Sequence, residues 1–581
     1  MKKIALQYPK IKYPMLLWLM AITACFTACR KEKADVRKDN RANTATRPLS
    51  TSRIINLAGY NQVAANGNTL TDPVVRDPNE VGGDRSTGTD FFPKNGYLEK
   101  SWQIPQELFG KTEGLEFKFG YIGPSSFGPR EFTMPAIRET YNKPMDYYLL
   151  PTQMANGLPN YVRVERSVVQ PSKADHFKIR IINLTSPITT AVASPRGPIE
   201  SLVGPVTLTY ADGTPVSAQT SNITNEQQTS DYVELPYGSY QFKVLTANGR
   251  QVPGASPTDG TFGVIDPPTS TVGISLNGTV TSAKLTFAPM MSYQPGGVYT
   301  IVVTPCNFNY LQNSILQASG AFQNAFHIVT DVSAPANTTY CRVQGVNALP
   351  GNDQVGFKIN GQPLSAGLGY GEASAYSSYI QGDYTIDAVN AAGNVLASIS
   401  QTFRNNQNYT LWLYPDAAGK AQILFVPNNL SGMVSVGGTP QDGSQGIVTT
   451  NYAFNKRFLN FSPDNPYITF TYDNGRPVSA NMQPGVLKIG EPYNNEILLF
   501  YRAYEVMAYR SAPDVVPGTW ARDIEVLKSV SFVANPALYT TPGRDIPIQE
   551  PGIYTVALIG RSGAGVPDAE KAKLIIVKHN K

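Results

Sequence analysis

From residue 53 to residue 578 the chain is built of short runs in which apolar and polar positions alternate, broken by Gly, Pro, Asn and Asp. A period of two puts one face of a strand on a core and the other toward solvent, whereas a helix needs a period near 3.6. Four segments open alike: Arg53-Ile54-Ile55-Asn56-Leu57, Arg180-Ile181-Ile182-Asn183-Leu184, Arg342-Val343-Gln344-Gly345-Val346-Asn347 and Arg457-Phe458-Leu459-Asn460-Phe461. Each reads as an opening strand, rich in β-branched or aromatic residues. In the last three a turn follows, at Ser186-Pro187, Leu349-Pro350 and Ser462-Pro463-Asp464. There Asn and Ser can bond the next amides while Pro fixes φ.

A second strand and tight turn come next, at 206–216, 355–364 and 468–478, around Asp212-Gly213, Asn360-Gly361 and Asp473-Asn474-Gly475. Alternation ending in Asp-Gly or Asn-Gly is a strong hairpin signal, because both turn residues take φ > 0. Two strands flanking a Gly, with Tyr just after it, recur at Tyr232–Val244 and Tyr379–Val389, around Gly238-Ser239-Tyr240 and Gly382-Asp383-Tyr384. Closing strands start at Tyr299, Tyr409 and Tyr554. Short strands at this spacing predict β-sandwiches. The expected domains are a β-rich one at 53–170 and sandwich repeats at 175–331, 338–430 and 450–578, with one short helix at Thr519–Lys528.

Several of these motifs resemble a known family. They are Asn460-Phe461-Ser462-Pro463-Asp464-Asn465-Pro466, the hairpin Gly475, the run Tyr370-Gly371 leading to Ser374 and Tyr376, and Gly552-Ile553-Tyr554-Thr555. Together they resemble the domain of unknown function numbered 4397, which is similar to immunoglobulin-like sandwiches of exported bacterial proteins. The likeness covers about 175–430 and 450–578, and only the opening strand of 53–170. Asn183-Leu184-Thr185-Ser186-Pro187 departs from the opening motif, and the third repeat lacks Ser-Pro-Asp. The resemblance implies an all-β chain of tandem immunoglobulin-like β-sandwich domains. The family has no established catalytic residues, so none is carried over.

The region before residue 53 reads differently. Lys2, Lys3, Lys10 and Lys12 precede an apolar stretch from Met15 to Ala28, at 14 residues too short to span a bilayer but suited to a signal peptide. It ends in Phe26-Thr27-Ala28-Cys29, which resembles a bacterial lipobox. Ile22-Thr23-Ala24-Cys25 fits the same pattern; Cys29 is preferred, because it leaves the longer apolar core and a charged tether starts directly after it. On this reading residues 1–28 are removed, Cys29 carries the lipid and 29–52 is a flexible basic tether. Several acyl chains, as bacterial lipoproteins are expected to carry, anchor stably. Arg30, in place of aspartate, favours an outer-membrane lipoprotein of the cell envelope, periplasmic or surface-exposed.

Charge then changes its meaning. The formal +5 falls to −3 for residues 53–581, once the signal and tether are set aside. A nucleic-acid binder concentrates positive charge on its folded surface, so nucleic acid is not an expected partner. With 16% charged residues, 49 Gly, 45 Pro and 32 Tyr, the composition suits short strands and many turns.

Candidate chemistry is sparse. Cys306 and Cys341, the cysteines left after the signal, are a possible disulfide in an oxidising compartment, with two unpaired thiols as the alternative. His176, His327 and His579 are far apart in sequence, and a zinc centre needs several Cys or His at close spacing. No Gly-x-Ser-x-Gly elbow is present, and Gly367-Leu368-Gly369-Tyr370-Gly371 is followed by strands where a phosphate loop needs a helix. Asp212-Gly213 and Asp473-Asn474-Gly475 lack the spaced oxygen ligands of a calcium loop. Tyr147, Tyr148, Tyr376, Tyr379, Trp412 and Trp520 are either a stacking platform or core, with core packing favoured. No catalytic residue, metal or cofactor is therefore expected. The function this supports is a membrane-anchored, non-enzymatic binding or adhesion module for glycan or protein. Alternatives are a structural subunit of an outer-membrane complex, and a polysaccharide hydrolase that would need two acids facing one cleft.

Overall fold

A computed structural model describes residues 47–73, 88–110, 114–122, 131–155, 157–188, 202–254, 289–311, 318–428, 430, 433–436, 446–449, 454–472, 475–489, 505–539, 550 and 552–581. The chain is all-β: strands in separate sheets, joined among the described residues by turns and short 3-10 segments. It divides into two compact units, residues 1–53 with 60–141 and residues 54–59 with 142–581.

One architectural plan repeats, clearest in the third sandwich. Its eight strands are Tyr340–Asn347, Val355–Ile359, Gln362–Leu368, Ser377–Ile380, Gly382–Val389, Val395–Phe403, Asn408–Pro415 and Ala421–Asn428. They form two sheets, in the order fourth-first-seventh-eighth and third-second-fifth-sixth. Between them lies a core that includes Cys341, Val343, Phe357, Ile386, Phe403 and Leu411. The fourth sandwich, from Phe454–Asn460 to Lys573–Lys578, has the same eight-strand order around Phe458, Phe470, Val506 and Val556. The second, from His176–Asn183 to Ala318–Val332, keeps the fourth-first-seventh-eighth sheet and reduces its third strand to a bridge between Thr209 and Pro215. In the first unit, Asn68–Thr69, Gln62–Ala65, Leu115–Gly120 and Glu131–Ile137 repeat the third-second-fifth-sixth order, with Phe117 and Phe119 packed among Trp102 and Tyr60.

In all three later sandwiches the first and seventh strands run parallel, with Arg180 opposite Thr300, Gln344 opposite Thr410 and Arg457 opposite Thr555. The architecture is that of immunoglobulin-like sandwiches, but this strand order differs from the immunoglobulin constant-domain pattern, whose two sheets are ABED and CFG.

Both faces of the first strand are buried, for a reason local alternation does not show. In the second sandwich Phe177, Ile179 and Ile181 face its own core, while Ile182 and Leu184 join Ile55, Tyr148, Leu150 and Val164 in a separate cluster. In the third and fourth, Val346, Ala348, Trp412 and Val426 meet Leu459, Phe461, Ala557 and Val577. The fourth-first-seventh-eighth sheets thus pack back to back, and the opening strand becomes a layer between two cores. Gly345 fits this crowding: a Cβ there would sit 2.4 Å from the Phe357 ring.

Two expectations need correction. Thr519–Lys528 is not a helix: Thr519 and Trp520 end the strand Val515–Trp520, Ala521 N donates to Ala508 O, and Val506 and Leu527 exchange backbone hydrogen bonds. Ala521 and Ile524 are buried at a spacing of three, which mimics a helical stripe. So short a segment does not nucleate a helix by itself, and the sheet claims its amides. The opening alignment of Arg342 also shifts. Counted from the buried Asn of each motif, Gln344 occupies the place of Arg180 and Arg457, and Arg342 lies two residues earlier.

Candidate functional site

The residues singled out from the sequence do not converge. Cys29 and Cys25 lie outside the described residues. Cys306 and Cys341 are buried thiols that no disulfide joins. Cys306 sits on the strand Val298–Leu311 of the second sandwich, opposite Gln323, while Cys341 is in the core of the third. The Cys341 S–H donates to Tyr379 O, and burial pushes its pKa up to about 12, which keeps it an unreactive thiol. His176 pairs with Asp175 at 2.7 Å, and His327 lies on the strand Ala318–Val332. Among the described residues no group of three or more His, Cys, Asp or Glu is placed to hold a metal ion. The Gly367–Gly371 loop is pinned by its own neighbours, with Gly369 N donating to Glu372 Oε2 and Tyr370 N to Asp353 Oδ1. Asn360 and Gly361 take φ of 48° and 76°, as their hairpin requires, and at Asp212-Gly213 the Asp carboxylate accepts Thr214 N. Asp473 and Asn474 lie outside the described residues.

The repeated Asn and Tyr positions prove to be structural corners. Asn183 Nδ2 donates to Gly204 O and Ile223 O, and its Oδ1 accepts Thr185 N. Asn347 repeats this with Asn352 O, Leu368 O and Leu349 N, and Asn460 with Asn465 O, Met482 O and Ser462 N. Each of the three is fully buried. One amide side chain therefore ties the end of the first strand to the loop beyond it and to the other sheet. The Gly-x-Tyr signal has an equally local cause. Tyr240, Tyr384 and Tyr554 each donate a hydroxyl to the carbonyl four residues back, at Pro236, Ile380 and Glu550. A Cβ at Gly552 would lie 2.7 Å from the Tyr554 ring, so glycine lets the ring fold back over its own strand.

The densest polar cluster joins the third and fourth sandwiches. His579 Nδ1 accepts from Gln344 Nε2, which can only donate, and also contacts Tyr376 Oη, both at 3.1 Å. Its Nε2–H therefore donates to Thr555 Oγ1 at 2.7 Å, which fixes the neutral tautomer. Burial, reinforced by the Arg457 charge, lowers the His579 pKa to about 3. Arg457 donates to Asn428 Oδ1 and Pro427 O, and Asn428 Nδ2 donates to Tyr376 Oη and Thr410 Oγ1. A second buried cluster pairs Lys243 Nζ with Glu550 Oε1 at 2.5 Å, both side chains at most 1% exposed. In the first cluster the imidazole is neutral and the Arg457 charge meets the neutral acceptors Asn428 Oδ1 and Pro427 O; in the second the two charges pair with each other.

The aromatic candidates separate by exposure. Tyr147, Tyr148 and Trp412 are buried, Tyr379 packs against Tyr384 and Phe403, and the Tyr376 ring is covered by the Arg342 guanidinium at 4.6 Å. Trp520 remains at the surface, 38% exposed, directly across the strand pair from Tyr509, with the Arg522 guanidinium over its ring at 5.5 Å from the centroid. Opposed residues of an antiparallel pair share a face, so Trp520 and Tyr509 make an aromatic patch on the outer sheet of the fourth sandwich. Val515 and Val516 of the same strand are also exposed. The third sandwich instead carries a shallow polar groove of about 340 Å³, lined by residues including Asn360, Asp383, Thr385, Ser400 and Thr402. Its carboxylate is already engaged, because Thr402 Oγ1 donates to Asp383 Oδ1.

Comparison with known proteins adds little about chemistry. No curated protein matches the chain. A solved structure titled "Central Fibronectin-III array of RIM-binding protein" aligns over 62% of this chain and 95% of its own, at 10% identity and a TM-score of 0.09, a likeness that carries no argument. Residues 341–436, which span most of the third sandwich, match the family described as domain of unknown function (DUF4397), and the all-β fold agrees with the immunoglobulin-like architecture that this family implies.

Proposed function

We propose that the protein is a lipid-anchored component of the cell envelope that binds glycan or protein without catalysing a reaction. Cys29 is the lipidated residue, the outer membrane the site, and the basic tether the spacer that holds the sandwiches away from the lipid surface. The single observation behind binding is the Trp520–Tyr509 patch: an exposed indole and a half-buried phenol share one outer face, where their flat rings and polar tips suit a sugar ring or an extended peptide. The test is an array of glycans and peptides probed with residues 47–581. A ligand whose affinity falls tenfold or more in Trp520→Ala supports the reading; no ligand, or one indifferent to Trp520, overturns it.

The exposed Val515 and Val516, at the other end of the strand that carries Trp520, favour one other reading, a structural subunit whose partner covers that edge. Crosslinking in intact cells separates the two: a fixed protein partner at that strand supports assembly, and soluble ligand alone supports recognition.

A further inference from the structure

The segment Lys578–Lys581 touches three sandwiches at once. Toward the second, Lys581 N donates to Ser239 O at 3.0 Å and Gln241 N donates to Lys581 O at 2.8 Å, the reciprocal pair of an added strand. Lys578 Nζ donates to Gln241 Oε1 at 3.0 Å, and the Lys581 ammonium lies 4.1 Å from the centre of the Tyr210 ring. Toward the third, the His579 ring meets Gln344 and Tyr376. Toward the fourth, His579 N donates to Ile553 O, Asn580 Oδ1 accepts Ile553 N, and the ring donates to Thr555. His579 and Asn580 are at most 4% exposed.

We propose that Lys578–Lys581 is a clasp seated in a peptide-docking site built by all three sandwiches, and that it locks the second sandwich onto the paired third and fourth. The site is selective for an extended segment with two cations flanking a neutral imidazole. Gln241 and Tyr210 take the ammonium groups, and the slot between Gln344, Tyr376 and Thr555 admits imidazole only with Nδ1 unprotonated. Further contacts follow the same seam, with the Lys243–Glu550 pair and Asn535 Nδ2 bonded to Asp212 O.

The clasp predicts which amides open together. In the unaltered chain, hydrogen exchange at the Lys581 and Gln241 amides is slow and matched, because each N–H is held by the other segment's carbonyl. Gln241→Pro deletes the Gln241 N–H bond to Lys581 O together with the side-chain acceptor of Lys578, and should speed exchange at Lys581 at least tenfold, while core amides of the third sandwich such as Val343 stay protected. Spin labels at the exposed turn positions Asn248 and Ala392 add a distance readout that a folded but unclasped chain would move. A narrow distance distribution in the parent chain that broadens in Gln241→Pro and in His579→Ala supports the clasp. Fast exchange at Lys581 in the parent chain, or an unchanged distribution in both folded variants, overturns it. Should either variant fail to fold, the exchange rates of the parent chain still decide.

Discussion

Replacing Asn347 by Ala tests the corner that recurs in the three later sandwiches. The side chain is fully buried and makes three bonds: Nδ2 to Asn352 O at 2.7 Å and Leu368 O at 3.1 Å, with Oδ1 accepting Leu349 N at 3.1 Å. Alanine leaves those partners behind. A buried polar group stripped of its partner costs about 1–3 kcal/mol. Asn352 is half-buried, so water can replace part of its loss, whereas Leu349 N and Leu368 O belong to residues in the buried core. The expected total is therefore about 2–4 kcal/mol. Asn347→Asp sharpens the argument: it keeps an acceptor for Leu349 N but turns a carboxylate toward two carbonyls. It should be at least as damaging at neutral pH and recover in acid, where a protonated carboxyl can donate.

Several packed sandwiches in one chain make a single unfolding free energy ill-defined, so the assay is native-state hydrogen exchange read at core amides of the third sandwich, such as Val343 and Leu411. A loss of about 2–4 kcal/mol corresponds to roughly 30- to 1000-fold faster exchange there. Amides of the first unit, such as Phe117 and Phe119, should not change. Acceleration below threefold would refute the corner as a load on stability, and equal acceleration throughout the chain would refute its locality.

Other outcomes follow from neighbouring geometry. Tyr384→Phe removes the hydroxyl bonded to Ile380 O while sparing ring packing on Phe403, and native-state hydrogen exchange at core amides of the third sandwich should report a loss of about 1 kcal/mol; no loss would argue against the corner role. Lys243→Met should destabilise by several kcal/mol, because the buried Glu550 carboxylate loses the ammonium bonded to its Oε1, and adding Glu550→Leu should restore much of it; a double variant worse than the single would contradict this account. His579 sets a pH dependence. Its pKa in the folded chain, about 3, is below the ordinary 6.5, so the unfolded chain binds the extra proton and stability falls as pH drops from about 6.5 toward 3. The slope from this group is up to about 1.4 kcal/mol per pH unit, and opening free energies from native-state hydrogen exchange at core amides of the fourth sandwich, compared between pH 7 and pH 5, should differ less in His579→Gln.

The sandwich fold was legible because strands announce themselves locally. Alternation, Asn360-Gly361 and the Gly-x-Tyr runs are short-range signals, and the structure places each where the sequence pattern requires. The corner role of Asn347 was half visible, since a recurring Asn before a turn suggests a bond to the next amides, yet the bond to Leu368 O crosses to another strand. The helix expected at 519–528 and the displaced alignment of Arg342 share one cause: spacing within a segment does not reveal the partner strand that claims it. The clasp left no local trace. Lys578-His579-Asn580-Lys581 is an ordinary polar tetrapeptide until Ser239 and Gln344, hundreds of positions earlier, are brought beside it.

Where recognition can occur follows from how the sandwiches pair. A sandwich offers two outer sheet faces, and here the fourth-first-seventh-eighth face of the third meets that of the fourth through Trp412, Phe461 and Val577, while that of the second is covered through Ile182, Leu184 and Val302. Burying both faces of the opening strand explains why Arg180 and Arg457 interrupt apolar runs: each reaches carbonyls of the neighbouring element, Glu165 O and Pro427 O, that the packing would leave unsatisfied. Under the proposed binding role, the third and fourth sandwiches then leave their third-second-fifth-sixth faces for a ligand. The third presents Asp383, already bonded to Thr402, with Thr385 and Ser400 lining the same groove, whereas the fourth presents Trp520 and Tyr509 on a strand whose Val515 and Val516 are exposed. Desolvating the first costs hydrogen bonds already made, and desolvating the second releases apolar surface from water. The asymmetry between two copies of one fold is the physical reason to seek the ligand on the fourth.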